Sequence, residues 1–426
     1  MTLVGAVPAP PRPGSPGGRL LADVIRRRSV RTLFQPIIHL PTGTVAGFAA
    51  VSRGPAGSPL ESPEALLTAA RDADRLGQLD WVFRVSAMEA ASASRLHPSL
   101  SWCFNVEPAG LAMPCPEHLV SIYGRSRASL RAVLEVVDRD QHGYARTLLA
   151  ACDDARRSAW GVALDRVGTD ERALALLPLL QPDVVKLDRS LVQRDPDAET
   201  ARLTAVVGAY AERSTAVIIA EGIETPEHAQ QAAVYGAEYG QGYLFGAPGP
   251  LPATLPAPAQ VIPLRQQPLP VAPGTPFEVV ATERHARAAT RRLLTHIAEH
   301  LAEQAARNSG CVVLACFGRG SPYSASRQDA YQALSRHNAL TMIVADGTLP
   351  ARSGRFQAIT LAEDDPLASE WHLIVLGADY AGALVARDAG DDGPAAERRY
   401  RYVYTHDRDL VVRAAKAFLA ELPVDA

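Results

Sequence analysis

Six short apolar runs recur between residues 45 and 222, and segments of helical spacing separate them. The runs are VAGFAAVSR, LSWCFNVE, RAVLEVVD, WGVALDRVG, PDVVKLDRS and TAVIIAEG. Buried, branched strands that alternate with helices imply βα units around a parallel sheet. About 230 residues of such units suit a (β/α)8 barrel, with a doubly wound open sheet as the alternative. No GxGxxG or GxxxxGK[ST] phosphate loop is present to favour the open sheet.

A polar residue stands at or just after the end of five runs: Asn105, Glu135, Asp165, Lys186 and Glu221. Each alone could simply cap a helix or meet a turn. In a parallel barrel, however, the C-terminal ends of all strands face one mouth, where binding and catalysis occur. Five such residues on successive strands would therefore converge on one site. Lys186 stands out further, because it and Lys416 are the only lysines among 43 basic residues. A lysine kept in such an arginine-rich chain is a candidate for chemistry, with chance as the alternative.

Two stretches rich in proline and glycine divide the chain. Residues 1–18 read as a disordered tail, and 251–276 as a semi-rigid linker with few backbone donors. Residues 19–250 then form the barrel and 277–426 a second domain, each long enough to bury a core. The second domain opens with the helical pattern ERHARAATRRLLTHIAEHLAEQAARN, in which Leu293, Ile297 and Leu301 are four apart. Strands are expected at 311–317, 340–344 and 372–376, with Tyr400, Tyr402 and Tyr404 on one face of another and a helix from about Asp407. Cys311 and Cys316 would face opposite ways, so no disulfide between them is expected. The fold class is α/β: a barrel plus a smaller C-terminal α/β domain.

Composition narrows the function. The net charge of −3 gives no basic field for nucleic acid or an anionic membrane. No apolar run is long enough to span a bilayer. Five scattered cysteines without zinc spacing suit a reducing compartment, so the expected location is cytoplasmic.

Seven ordered pieces give the first domain a resemblance to the EAL family, the cyclic di-GMP phosphodiesterase domains. They are FQPIIHLPTGTVAGFAAVSRG, FNVEPAGL, LEVVD, ALDRVGTD, VVKLDRSLV, IIAEGIET and YGQGYLFGAPGP. The resemblance implies a modified (β/α)8, TIM-like barrel. It also implies a metal set of Asn105, Glu135, Asp165 and Glu221, and a catalytic pair of Lys186 and Glu221. Nucleotide contacts would come from Gln35, Arg53, Asn105, Asp188 and Gln241, and Asp138 and Glu224 would anchor the loop after Asp165.

The departures from the family pattern bear on activity. The signature glutamate of G-x-E-A-L-x-R falls on Ala49, and the second of the paired aspartates on Arg166. The resemblance implies that both lost carboxylates hold divalent metal. Their loss and the new guanidinium shift the site by three positive charges relative to the pattern. One charge pair at 4 Å is worth about 4 kcal/mol at an effective dielectric near 20. Mg²⁺ or Mn²⁺ is thus expected only if the domain is active after all, and no cofactor otherwise. Arg166 could bind ligand phosphate or pair with Glu135 or Asp165.

The segments VVLACFGRG, DPLASEWHLIVLGADYAGALVARD and RRYRYVYTHDRDLVVRAA resemble the DICT domain, a sensory module. Asp365, Glu370, Trp371, Arg387, Asp388, Arg399, Thr405 and Asp407 carry that likeness. The resulting expectation is a cytoplasmic signalling protein, with an inactive EAL domain acting as cyclic di-GMP sensor or protein-interaction scaffold. An active phosphodiesterase and a module that binds no nucleotide are the alternatives. Cyclic di-GMP, an unidentified protein and a second copy in a homodimer are the candidate partners.

Overall fold

The computed structural model describes residues 16–137, 145–265, 273–308, 310–319, 325–347, 356–362, 364–391, 394 and 396–422. Eight strands close a barrel in sequence order: β1 (Arg31–His39), β2 (Thr44–Arg53), β3 (Ser101–Val106), β4 (Ala132–Val137), β5 (Gly161–Val167), β6 (Val184–Leu187), β7 (Val217–Ala220) and β8 (Tyr239–Gly240). β2 to β8 run parallel, while β1 lies antiparallel to both neighbours, β2 and β8. That reversed strand is what modifies the (β/α)8 plan.

Side chains alternate across each strand. The outward set, including Trp102, Phe104, Leu134, Leu164, Val185 and Ile218, packs against the surrounding helices. The inward set, Ala49, Cys103, Val133, Ala163, Val184, Ile219 and Tyr239, fills the lower barrel. Two residues further along β3, β4, β5 and β6 come Asn105, Glu135, Asp165 and Lys186. Glu221 and Gln241 follow Ile219 and Tyr239 in the same way. Period 2 thus delivers one polar side chain to the mouth from each of β3 to β8. Helix starts are capped as their sequences predict: Ser62, Asp197 and Thr225 accept from Ala65, Thr200 and His228 backbone N–H groups.

The proline-rich stretch does not stand clear of the barrel. Ile262 is fully buried in the lower barrel core. Its carbonyl accepts from Arg131 Nη2 at 2.5 Å, and Val261 O accepts from Tyr239 Oη at 3.2 Å. Arg265 donates to Gln181 O at 2.8 Å and Ser214 O at 3.0 Å. Leu264 packs so closely that a Cβ on Gly161 would lie 2.4 Å from its Cδ2. Residues 261–265 therefore plug the end opposite the mouth. Ile262→Ala should lower stability by about 2–5 kcal/mol, read by urea unfolding. A loss near zero would show that the plug bears no load.

At the N-terminal boundary a helix already begins at Pro16 and runs to Arg27, so residues 16–18 belong to it rather than to a tail. The rest of the expected tail falls outside the described residues.

The C-terminal domain is a seven-stranded sheet in the order β12-β11-β10-β13-β14-β15-β9. Its strands are β9 (Arg287–Thr290), β10 (Val312–Phe317), β11 (Leu340–Ala345), β12 (Phe356–Thr360), β13 (Glu370–Leu376), β14 (Ala381–Asp388) and β15 (Arg399–Thr405). Helices Pro276–Ala281 and Arg408–Glu421 cover one face, and Arg291–Arg307 the other. The first of these helices opens on a Thr275/Glu278 capping box.

One sequence expectation is corrected here. Residues 287–290 are a strand, not the start of the helix, because their backbone pairs with the exposed edge of β15. Tertiary pairing overrides local helix propensity there. Leu294 and Leu301 face the core, whereas Leu293 is 54 % exposed. Cys311 and Cys316 are free and lie in cores on opposite faces of the sheet. Of the tyrosines, Tyr400 packs edge-on to Trp371 at 5.8 Å, while Tyr404 bonds to His406.

Candidate functional site

The barrel mouth is organised by an ammonium group. Lys186 Nζ lies 2.5 Å from Glu221 Oε1, 2.7 Å from Glu135 Oε1 and 3.9 Å from Asp165 Oδ1. Lys186, Glu135 and Asp165 are buried, and Glu221 is half-buried. The contact with Glu135 is an ion pair without good hydrogen-bond alignment. Burial penalises the charged amine, but Glu135, Glu221 and Asp165 outweigh it and hold the Lys186 pKa well above the ordinary lysine value. Asp165 is pushed well above the carboxylate range, by burial first and by Glu221 second, against the pull of Lys186. The Cys103 thiol, one layer below, is raised by burial and by Glu135, which keeps it unreactive.

Arg166 adopts a left-handed backbone at φ +57°. Its side chain is 42 % exposed, with Nε 4.0 Å from Asp165 Oδ2. It lines a cleft of ≈ 260 Å³ together with Ser52, Asn105, Glu107 and the buried Asp80–Arg84 pair. Asp80 also accepts from the Glu107 N–H at 2.9 Å, fixing the loop after β3. Sequence reasoning did not single out Asp80, Arg84 or Glu107. An acid and a base four apart on an otherwise apolar helical face was the available signal.

The other expected ligand residues spread around the mouth. Gln35 and Gln241 bond to each other at 2.8 Å across the β1–β8 seam, and Gln35 also donates to Gly246 O. Arg53 ends β2, next to the cleft wall at Ser52. Asp188 caps the short helix after β6, accepting from Ser190 N at 2.8 Å. Glu224 is exposed beside His228, and Asp138 lies outside the described residues.

In the C-terminal domain the residues of the second resemblance are mostly structural. Glu370 is fully buried and bonds to Thr275, Arg387 and the Phe277 N–H, with His372 Nε2 at 2.7 Å. Asp365 and Asp407 cap helical turns.

The "EAL domain" family profile matches residues 19–248, more than half of the sequence. The chain belongs to the EAL family. A second profile, "Sensory domain in DIguanylate Cyclases and Two-component system" (DICT), matches residues 279–389. The EAL chain is 28 % identical to the probable cyclic di-GMP phosphodiesterase PdeB of Escherichia coli over 230 residues, covering 53 % of this chain and 44 % of that one. It is 25 % identical to the cyclic di-GMP phosphodiesterase NbdA of Pseudomonas aeruginosa, covering 55 % and 30 %. The chain thus spans less than half the length of these curated relatives. Among solved structures it is similar to the Pseudomonas aeruginosa FimX EAL domain bound to c-di-GMP (20 % identity, TM-score 0.47, 56 % of this chain and 98 % of that). It is also similar to a Klebsiella pneumoniae BlrP1 manganese/cy-diGMP complex (22 %, TM-score 0.42, 52 % and 56 %).

The donor set lacks the two carboxylates that the family pattern places at positions 49 and 166. Glu135, Asp165 and Glu221 all lie within 4 Å of Lys186 Nζ. Ala49 sits in the apolar lower wall, and Arg166 brings positive charge to Asp165. Among the described residues, no group of three or more His, Cys, Asp or Glu is arranged to hold a metal ion. Mg²⁺ and Mn²⁺ demand several hard oxygen ligands. No helix among the described residues is long and apolar enough to cross a membrane.

Proposed function

We propose that the EAL barrel, residues 19–250, is a cyclic di-GMP sensor that does not hydrolyse its ligand, joined to a DICT module at 277–426 that takes part in relaying the signal. The observation that carries this reading is the absence of two expected carboxylates: Ala49 lies in the apolar lower wall, and Arg166 brings a guanidinium to within 4.0 Å of Asp165. Arg166, exposed in the cleft beside Asn105, offers a guanidinium to a phosphate. Curated relatives are named as cyclic di-GMP phosphodiesterases, which supports the nucleotide class.

Calorimetric titration with cyclic di-GMP, with and without Mn²⁺, tests the reading. Binding should be equal in both, and chromatography should show no linear product. Arg53→Ala should weaken binding by about 1.5–3 kcal/mol, or roughly ten- to hundredfold. Metal-dependent turnover would establish an active phosphodiesterase instead. No binding under either condition would leave a scaffold for a protein partner.

A further inference from the structure

The barrel and the DICT domain meet over a cavity of ≈ 150 Å³ that belongs to neither the mouth nor the plug. Its walls come from both halves. Helix Ala145–Arg157, after β4, contributes Arg146, Leu149, Asp153 and Arg156, and the turn before β6 contributes Leu179. Lys416 and Leu419 come from the last helix, Arg408–Glu421. Three cations therefore face one carboxylate.

Arg156 is 2 % exposed; its Nη2 donates to Leu180 O and Gln181 O and its Nη1 lies 3.6 Å from Asp153 Oδ1, while its buried Nε has no hydrogen-bond partner among the described residues. Lys416 Nζ donates to Gln181 Oε1 at 3.0 Å, although an ammonium can make three such bonds. The rest of the wall is leucine and alanine. Buried donors without acceptors are costly, so the arrangement calls for an anion. The space is large enough for a small organic molecule. Phosphate would leave the apolar side of the cavity unused.

We propose that this junction binds a small organic carboxylate with a short apolar chain, its head on Lys416 and Arg156 and its tail on Leu149, Leu179 and Leu419. Because the walls come from both domains, the ligand fastens the DICT module to the barrel. It thereby stabilises the joined arrangement by mass action.

The amine chemistry agrees. Burial, and then Arg156, lower the Lys416 pKa to about 8, with Asp153 and Cys152 opposing and Arg265 assisting. A bound carboxylate restores the charged form, so binding takes up a proton. Affinity is then highest below pH 8 and falls as pH rises above it.

Sodium butyrate is the probe, titrated calorimetrically into the full chain at pH 7 and pH 9, with butyramide and sodium phosphate as controls. Butyrate should bind at millimolar concentration or better and more weakly at pH 9, with butyramide and phosphate at least tenfold weaker. Lys416→Met should reduce butyrate affinity at least tenfold. Ala150→Leu, at an exposed helical position lining the cavity, should reduce it by filling the space without removing a charge. Absence of butyrate binding, equal binding of butyramide or phosphate, or affinity unchanged in both variants would overturn the proposal.

Discussion

Replacing Lys186 with methionine is expected to cost about 3–5 kcal/mol of folding stability at pH 8, more than any other single substitution at the barrel mouth. The cause is asymmetric. Lys186 is 98 % buried and in ion-pair contact with Glu135, Glu221 and Asp165. Without it, buried carboxylates face one another in a low-dielectric space, with the half-exposed Arg166 Nε 4.0 Å from Asp165. The loss should shrink in acid, and the sign follows from Asp165. A carboxyl whose folded pKa is raised adds stability that is present below its unfolded value and lost as pH rises through the folded one. Removing the ammonium raises that pKa further, so the variant gains more from acid than the wild type does. Urea unfolding at pH 8 and pH 5 measures both arms. A variant as stable as the wild type at pH 8 would mean that water or counter-ions reach the carboxylates.

The barrel was legible because its strands are short, branched and periodic. β2 to β7 stand out as apolar runs, and on β3 to β7 the polar residue two places beyond the inward apolar one marks the mouth. No such run announces β1 or β8. β1 carries Pro36 in mid-strand, and β8 has only two residues, Tyr239 and Gly240. Neither makes a recognisable run, yet together they close the barrel. The proline-rich stretch misled for a related reason. Prolines predict extended backbone correctly, but extended backbone can lie in a groove as well as in solvent. Ile262 finds the open end of the barrel, which is a property of the closed sheet and not of the local sequence.

The site was legible in its membership but not in its pairing. Asn105, Glu135, Asp165, Lys186 and Glu221 could all be named from strand ends. That Lys186 would neutralise the three acids, and not stand apart from them, depends on distances across the barrel between β4, β5, β6 and β7. In the same way Gln35 and Gln241 meet only because β1 closes on β8. Arg166 had two readings from sequence. Its 4.0 Å separation from Asp165 and its place in the cleft favour ligand contact over a tight ion pair.

Restoring the two replaced carboxylates is the sharpest test of why the barrel should be silent. Ala49→Glu with Arg166→Asp is expected to bind Mn²⁺ and to gain detectable cyclic di-GMP hydrolysis, with each single change giving far less. Position 166 tolerates the substitution, because its backbone at φ +57° suits aspartate better than arginine. Position 49 faces inward opposite Gln35 and Cys103, so a glutamate there extends from the lower wall towards Glu135. The double change replaces one guanidinium and one methyl by two carboxylates, making the mouth three charges more negative. That surplus competes with Lys186 for Glu135, Asp165 and Glu221, and it supplies the oxygens that a divalent ion requires. One restored carboxylate does neither: beside Arg166 it is neutralised, and beside Ala49 the donor set stays short. Such groups act as a unit, which is why the singles should not add up to the double. Calorimetry with Mn²⁺ and chromatography of the nucleotide separate the outcomes. A double variant that binds Mn²⁺ and nucleotide yet leaves cyclic di-GMP intact would move the defect to the loop at Gly168–Asp170. One that binds no Mn²⁺ would show that positions 49 and 166 are not the places of the two missing metal carboxylates.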